Sequence, residues 1–282
     1  MNSFQRTIKY IAIGFAIFLA IAIISAMINV GLIIASVVSG GTAFNKDKSV
    51  GFSEVFTDVS SLEVSNSTGK LIILEGDTFK VEAENVSKNF QAKVSSNGIL
   101  KISDDNQAIN FLWFHFNGIN DPNSKITIYL PKGFIAEDIK LETGAGNVAI
   151  DGVKTGYLLL SAGAGNIVGT NIIAEKVKVD GGVGNVNLEK VSFNDSDFDC
   201  GVGNLTVEGT LQGKNKFDCG VGDVNLDLTG DPKDYDIKVD AGVGNIRLNG
   251  EKISNEYRTN NSSPNSIDID GGVGNVTIKI TR

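Results

Sequence analysis

The sequence predicts an all-β protein: a parallel β-solenoid with coils of about 19 residues, preceded by one transmembrane helix. Three observations predict this. The motif Gly-(Ala/Val)-Gly-(Asn/Asp) followed by an aliphatic residue begins at Gly144, Gly163, Gly182, Gly201, Gly220, Gly242 and Gly272, at first every 19 residues and then after gaps of 22 and 30. A fixed period near 20 residues means one structural unit stacked on itself. Apolar residues hold the same places around each motif. No charged residue occurs between Tyr10 and Gly41.

That uncharged run comes first in the chain. Its core, Ile11 to Val38, is almost wholly aliphatic or small. A membrane span needs ~20 apolar residues, so a tilted helix fits, whereas the apolar region of a cleaved signal peptide is only ~7–15 residues long. Residues 1–41 therefore read as a short cytoplasmic tail and an anchor. Arg6 and Lys9 before the span place the following bulk outside the cytoplasm. Residues 42–53 read as a linker.

Residues 54–134 read as an N-terminal β region that caps the solenoid. Leu62-Glu-Val64, Leu71 to Leu74, Ile99 to Ile102 and Lys125 to Leu130 alternate as half-buried strands do. Ser67 to Lys70 reads as a decayed copy of the repeat turn. Phe111-Leu-Trp-Phe-His-Phe116 is exceptional. Phe111, Trp113, Phe114 and Phe116 suggest either a hairpin packed over the open first coil or an exposed contact segment, since exposed aromatic patches mark interaction sites. His115 has no second ligand type near it and reads as packing.

Residues 135–282 are the solenoid. Numbering from the second glycine of each motif, the fifth residue before it is Leu141, Leu160, Val179, Phe198, Phe217, Val239 or Ile269. The third before it is small: Thr143, Ala162, Gly181, Cys200, Cys219, Ala241 or Gly271. Two and four residues after it stand aliphatics such as Val186 and Leu188, with Gly169 the exception. Side chains alternate along a strand, so the inward parity switches at the corner. A weaker set at Val153, Ile172 and Val191 adds a third strand per coil. Glycine at the corner implies positive φ or close approach between coils. Asn147, Asn166, Asn185, Asn204, Asp223, Asn245 and Asn275 would form a ladder there that satisfies backbone groups. Cys200 and Cys219 face inward in adjacent coils and read as free, buried thiols, with a disulfide the alternative that their ~5 Å stacking distance allows. The segment Glu251 to Ser266 reads as a polar surface loop. The final coil, ending at Arg282, shows no cap, and solenoids cover such ends; self-association or a partner there is the expectation.

For chemistry the best candidate is an outward acidic ladder, Asp180, Asp199, Asp218 and Asp240, continued by Glu142 and Asp270. Lys140, Lys178, Lys216 and Lys238 stand two residues earlier on that face. The ladder is either a solvated salt-laced face or a weak cation site. The corner lacks the third glycine and the lysine of phosphate loops. With His115 alone outside the repeats, no nucleophile–histidine pair arises, and no catalytic residue or cofactor is expected. A net charge of −8 disfavours nucleic acid.

Lys125-Ile-Thr-Ile-Tyr-Leu-Pro-Lys-Gly133, followed by a strand, Thr143-Gly-Ala-Gly-Asn-Val148 and the repeated motifs, resembles the bacterial "putative adhesin" family of β-strand repeats, a domain of unknown function. The similarity covers roughly residues 55–282 and looks closest to single-span members, including ones encoded beside envelope-stress regulators. The resemblance implies a right-handed β-helix-like fold and no catalytic residues. Family copies often carry Asp in the turn where this chain mostly has Asn, which weakens cation binding there. The expected function is a membrane-anchored, non-enzymatic binding, adhesion or scaffold module at the cell envelope, with an envelope protein or polysaccharide as partner. The alternatives are an accessory of an envelope-stress sensor and, as a minor reading, a carbohydrate-active β-helix enzyme using Asp199 or Asp218.

Overall fold

A computed structural model describes the backbone of residues 50–104, 106–111, 114–118 and 123–282, and the side chains of 50–104 and 123–282. The expected anchor and the first part of the linker lie outside these residues. Residues Ser49–Arg282 form one compact unit. Apart from a single 3-10 turn at Pro232–Asp234, regular structure among the described residues is all β.

The N-terminal strands are β1 (Val50–Phe56), β2 (Ser61–Gly76), β3 (Phe79–Val86), β4 (Gln91–Val94), β5 (Ile99–Asp104), β6 (Asn106–Phe111), β7 (Phe114–Gly118) and β8 (Lys125–Pro131). They are more than a cap. β2 is a full coil, in register with the first repeat coil: Leu62 pairs with Ile139, Val64 with Leu141, and Gly69 with Gly146. Ser67 to Lys70 thus occupies the repeat corner. On the other side of β2 lie β5 and β8, which share one coil, with Leu62 opposite Leu100 and Leu71 opposite Ile126. Solenoid coils therefore begin at Ser61. This end is closed by antiparallel strands: β3 on β8, β1 on β3, and β4 on β5. Phe52 against Phe90 and Phe79 against Phe134 seal it.

The repeats follow as β9 (Ala136–Ala164), β10 (Ile167–Val183), β11 (Val186–Phe193), β12 (Ser196–Val202), β13 (Leu205–Leu211), β14 (Lys214–Val221) and β15 (Val224–Thr229). Pairing is parallel at a 19-residue offset: Val179 lies between Leu160 and Phe198, and Val186 between Ile167 and Leu205. Every position with the expected inward parity is buried except Gly181, Gly271 and Leu248, which are partly buried. Phe198 and Phe217 stack with ring centroids 5.0 Å apart. Gly169 is no defect, because Ile172 and Leu188 fill the place its side chain would take.

The last strands are β16 (Tyr235–Val243), β17 (Ile246–Leu248), β18 (Glu251–Ile253), β19 (Glu256–Arg258), β20 (Asn265–Val273) and β21 (Val276–Thr281). Here the stack departs from chain order. β20 pairs with β14 on one side and with β16 on the other, and β21 likewise lies between β15 and β17. The final coil in sequence is therefore internal and not bare, which removes the reason for expecting self-association through it. The outermost coil is β16–β17, covered antiparallel by β19 and β18. The expected surface loop after Glu251 supplies this cap. Short, charged strands such as Glu251-Lys-Ile and Glu256-Tyr-Arg discourage edge-to-edge pairing.

Two glycines should respond very differently to alanine. At Gly203, φ is +144° and an added Cβ would sit 1.9 Å from the Gly184 carbonyl oxygen. At Gly250, φ is +87° with nothing within 4 Å. Gly203→Ala should cost more than about 3 kcal/mol in urea unfolding, and Gly250→Ala only about 1 kcal/mol.

Candidate functional site

Each corner is fixed by contacts between coils. Added Cβ atoms at Gly165, Gly184, Gly203, Gly222, Gly244 and Gly274 would meet a neighbouring glycine carbonyl at 1.8–2.0 Å. No other residue fits there. The following Asn ladder is made of side chain to backbone bonds. The backbone N–H groups of Asn166, Asn185, Asn204 and Asp223 each donate to the Oδ1 of the Asn one coil before, all at 2.9 Å. Asn275 donates to Asp223 Oδ1 at 2.8 Å, and Asn245 to Asn275 Oδ1 at 3.2 Å. These bonds run along the solenoid axis and tie the Oδ1 acceptors to the backbone N–H groups of the next coil.

Between the two corner glycines stands one residue with no inward place. It forms a file of in-register valines in stack order: Val183, Val202, Val221, Val273 and Val243. They are 45–67% exposed and make up half of the large exposed hydrophobics among the described residues. Ala164 precedes Val183 in register, and further along the same edge Ala145 pairs with Thr68. The trace of this ridge in the sequence is the middle letter of Gly-(Ala/Val)-Gly, which periodicity alone does not mark as a surface position.

Three residues back along each strand stands the acidic file. The internal position of β20 inserts Asp270 between Asp218 and Asp240, so the order is Asp180, Asp199, Asp218, Asp270, Asp240, continued by Glu256 of the cap. All but the partly buried Asp180 are exposed. Lys178 lies 3.4 Å from Asp180 and Lys216 3.9 Å from Asp218. The Asp180 charge raises the Lys178 pKa, helped by their hydrogen bond. The next file out alternates as Lys178, Asp197, Lys216, Asp268, Lys238; within it Lys238 is bound to Asp268 at 2.7 Å, while Lys178 and Lys216 turn to the acidic file. The carboxylates of Asp199, Asp270 and Asp240 have no ion-pair partner among the described residues. They stand in a file and do not form a shell; a Ca²⁺ site needs several oxygens converging at about 2.3–2.6 Å. Among the described residues no cluster of three or more metal-ligating side chains occurs.

The aromatic segment leaves from the same edge. Asp104, the last residue before it, is in register with Asn66, and Lys125, just after it, with Lys70, so the excursion replaces the corner of the β5–β8 coil. Within it β6 and β7 pair antiparallel, Phe111 opposite Phe114 and Asn110 opposite His115. Trp113 and the side chains of Phe111, Phe114, His115 and Phe116 lie outside the described residues. The end of the stack that this segment would cover under the first of its two readings is closed by β1, β3 and β4.

The concavity between Thr210–Gln212 and Asn261–Asn265 encloses about 390 Å³. Its amides serve the fold: Asn261 Nδ2 donates to the Tyr235 carbonyl at 2.8 Å and Asn265 Nδ2 to the Asp234 carbonyl at 3.1 Å. Cys200 and Cys219 are in register, buried and unbridged. Their shared hydrogen bond lowers the Cys200 pKa and raises that of Cys219, which burial raises further.

Residues 59–263 match the Toastrack DUF4097 family. The chain belongs to the Toastrack family. No curated protein matches it. Solved structures similar to this Toastrack chain include a putative cell adhesion protein from Clostridium sporogenes, 20% identical over 83% of this chain and 99% of that one (TM-score 0.37). A putative adhesin from Bacteroides fragilis is 16% identical over 82% and 96% (TM-score 0.40). A putative lipid binding protein from Parabacteroides distasonis is 16% identical over 81% and 96% (TM-score 0.36). The Toastrack assignment rests on the family match.

The buried thiols of this Toastrack domain should react with a maleimide more than about a hundredfold slower than a free cysteine, and at ordinary rates once unfolded. Alanine already occupies their place at Ala162 and Ala241, so Cys200→Ala should cost no more than about 1–2 kcal/mol in the same unfolding assay.

Proposed function

We propose that this Toastrack protein is a membrane-anchored, extracytoplasmic binding or scaffold module of a bacterial envelope, working without catalysis. The observation that carries this reading is the side wall. It consists of files of like groups, each held in register by parallel pairing with the coils on either side. Such a wall presents a repeated, preorganised surface, which suits docking. Right-handed winding is the sense that parallel crossovers take in nearly all proteins.

The anchor reading is supported by the uncharged run from Tyr10 to Gly41. Among the described residues, no helix is long and apolar enough to cross a membrane. The positive charges of Arg6 and Lys9 support a cytoplasmic amino terminus.

Full-length protein with a carboxyl-terminal epitope should stay with membranes through an alkaline carbonate wash. Protease added to intact protoplasts should remove the epitope. Deleting residues 1–48 should release a folded domain into the soluble fraction. Recovery of the full-length chain in the cytosol would sink the proposal.

A further inference from the structure

We propose that the valine ridge and the acidic file beside it form one docking surface for a cationic amphipathic α-helix of a protein partner. This deepens the binding-module reading and rests on it.

The fold does not require either file. Alanine takes the ridge position at Ala145 and Ala164, and Ser161 takes the carboxylate position, with the coils still in register. Five exposed valines in contact-making order form an apolar strip, which on a soluble surface marks an interaction site. The carboxylates run alongside it three residues earlier on each strand, across the start of the corner and so at most about 10 Å away. A helix ~10 Å wide with its side chains can therefore reach both files. A helix lying on the valines would hold its flanking row of Lys or Arg over Asp199, Asp218, Asp270 and Asp240.

Periodicity selects a helix over a strand. Coils recur every ~4.8 Å, and a helix turns once every ~5.4 Å, so each turn meets about one coil. Same-face residues of an extended strand recur every ~6.8 Å and fall out of step at once. From Val183 to Val243 the ridge spans four coil steps, ~19 Å, the length of about 13 helical residues.

Charge selects the partner. A second copy would bring the same valines with the same carboxylates on one side and the Asn ladder on the other, and so no cationic row. An anionic lipid surface would be repelled by the acidic file. A helix carrying Lys or Arg satisfies both files at once.

The test uses the full-length protein in phosphatidylcholine nanodiscs and a 14-residue peptide of Leu and Lys in helical amphipathic order. The peptide carries a photo-crosslinker on its apolar face, and empty discs supply the lipid background. Crosslinks should map to the peptides containing Val202 and Val221. The paired changes Val202→Ser with Val221→Ser should weaken capture about tenfold, and so should Asp199→Asn with Asp218→Asn. The second effect should shrink in high salt. All four positions are exposed, with Asp218 paired to Lys216 at its side, and a thermal melt checks that each variant folds. The proposal fails if capture is unchanged by both variants. It also fails if crosslinks fall only on lipid or on other faces, if a Leu/Glu peptide binds equally well, or if the ridge crosslinks only to a second copy. Each of these outcomes leaves anchoring and orientation standing, whereas cytosolic recovery would have removed those first.

Discussion

The whole architecture depends on how closely one coil can approach the next at the Gly-x-Gly corner. The carbonyl of Gly184 lies where a Cβ of Gly203 would be, and the same holds from Gly146 to Gly274 along the stack. This approach brings the corner backbones within hydrogen-bonding reach. Gly184 donates to the Val202 carbonyl and Gly203 to that of Val221. The turn, which in most β proteins must be solvated, is here part of the ladder. Widening one corner by a methyl group would break register on both adjoining strands, because a strand cannot shift by one residue without turning its apolar face outward.

The same corner determines which groups reach solvent. The chain reverses its inward parity between Cys200 and Leu205, both buried, so the residues between them cannot all alternate. The corner takes up the difference by pointing Val202 outward between two glycines. The exposed ridge is thus a geometric by-product of the parity switch. Its content is not fixed by that switch, since alanine serves equally in the earlier coils. Valine in five successive coils is where sequence choice, and with it the functional reading, enters.

Much of this was legible in the residues. The inward files at Leu160, Val179, Phe198 and Phe217, the small files at Ala162 and Cys200, the decayed corner at Ser67 to Lys70 and the Asn ladder all follow from a period of 19 and alternation. The order of coils at the two ends did not follow. Repeat spacing says which residues are equivalent, and not which equivalent coil lies next door. The gaps of 22 and 30 residues hid a coil that passes back beneath its predecessor, placing Phe217 against Ile269 at an offset of 52. For that reason the acidic file read with Asp240 next to Asp218 where Asp270 stands between them, and the final coil read as bare where it is covered. Gly169 marks the opposite limit, where a local exception to the pattern is absorbed by Ile172 and Leu188.

Closing both ends by folding back has a functional corollary. At the start, β2 lies beneath the later β5–β8 coil; at the finish, β20–β21 lies beneath the earlier β16–β17 coil. Each outermost coil is then covered by short antiparallel strands, so the apolar interior is not offered to partners at either end. Recognition is thereby displaced to the side walls, where groups repeat at the coil spacing. On the wall that carries the carboxylates, lysines answer Asp180, Asp218 and Asp268, and Asp199, Asp270 and Asp240 have no ion-pair partner among the described residues. The valine and aspartate files run side by side along the edge from which the aromatic excursion departs between Asp104 and Lys125. A partner that supplies apolar contact and positive charge at the same repeat completes what the solenoid leaves open.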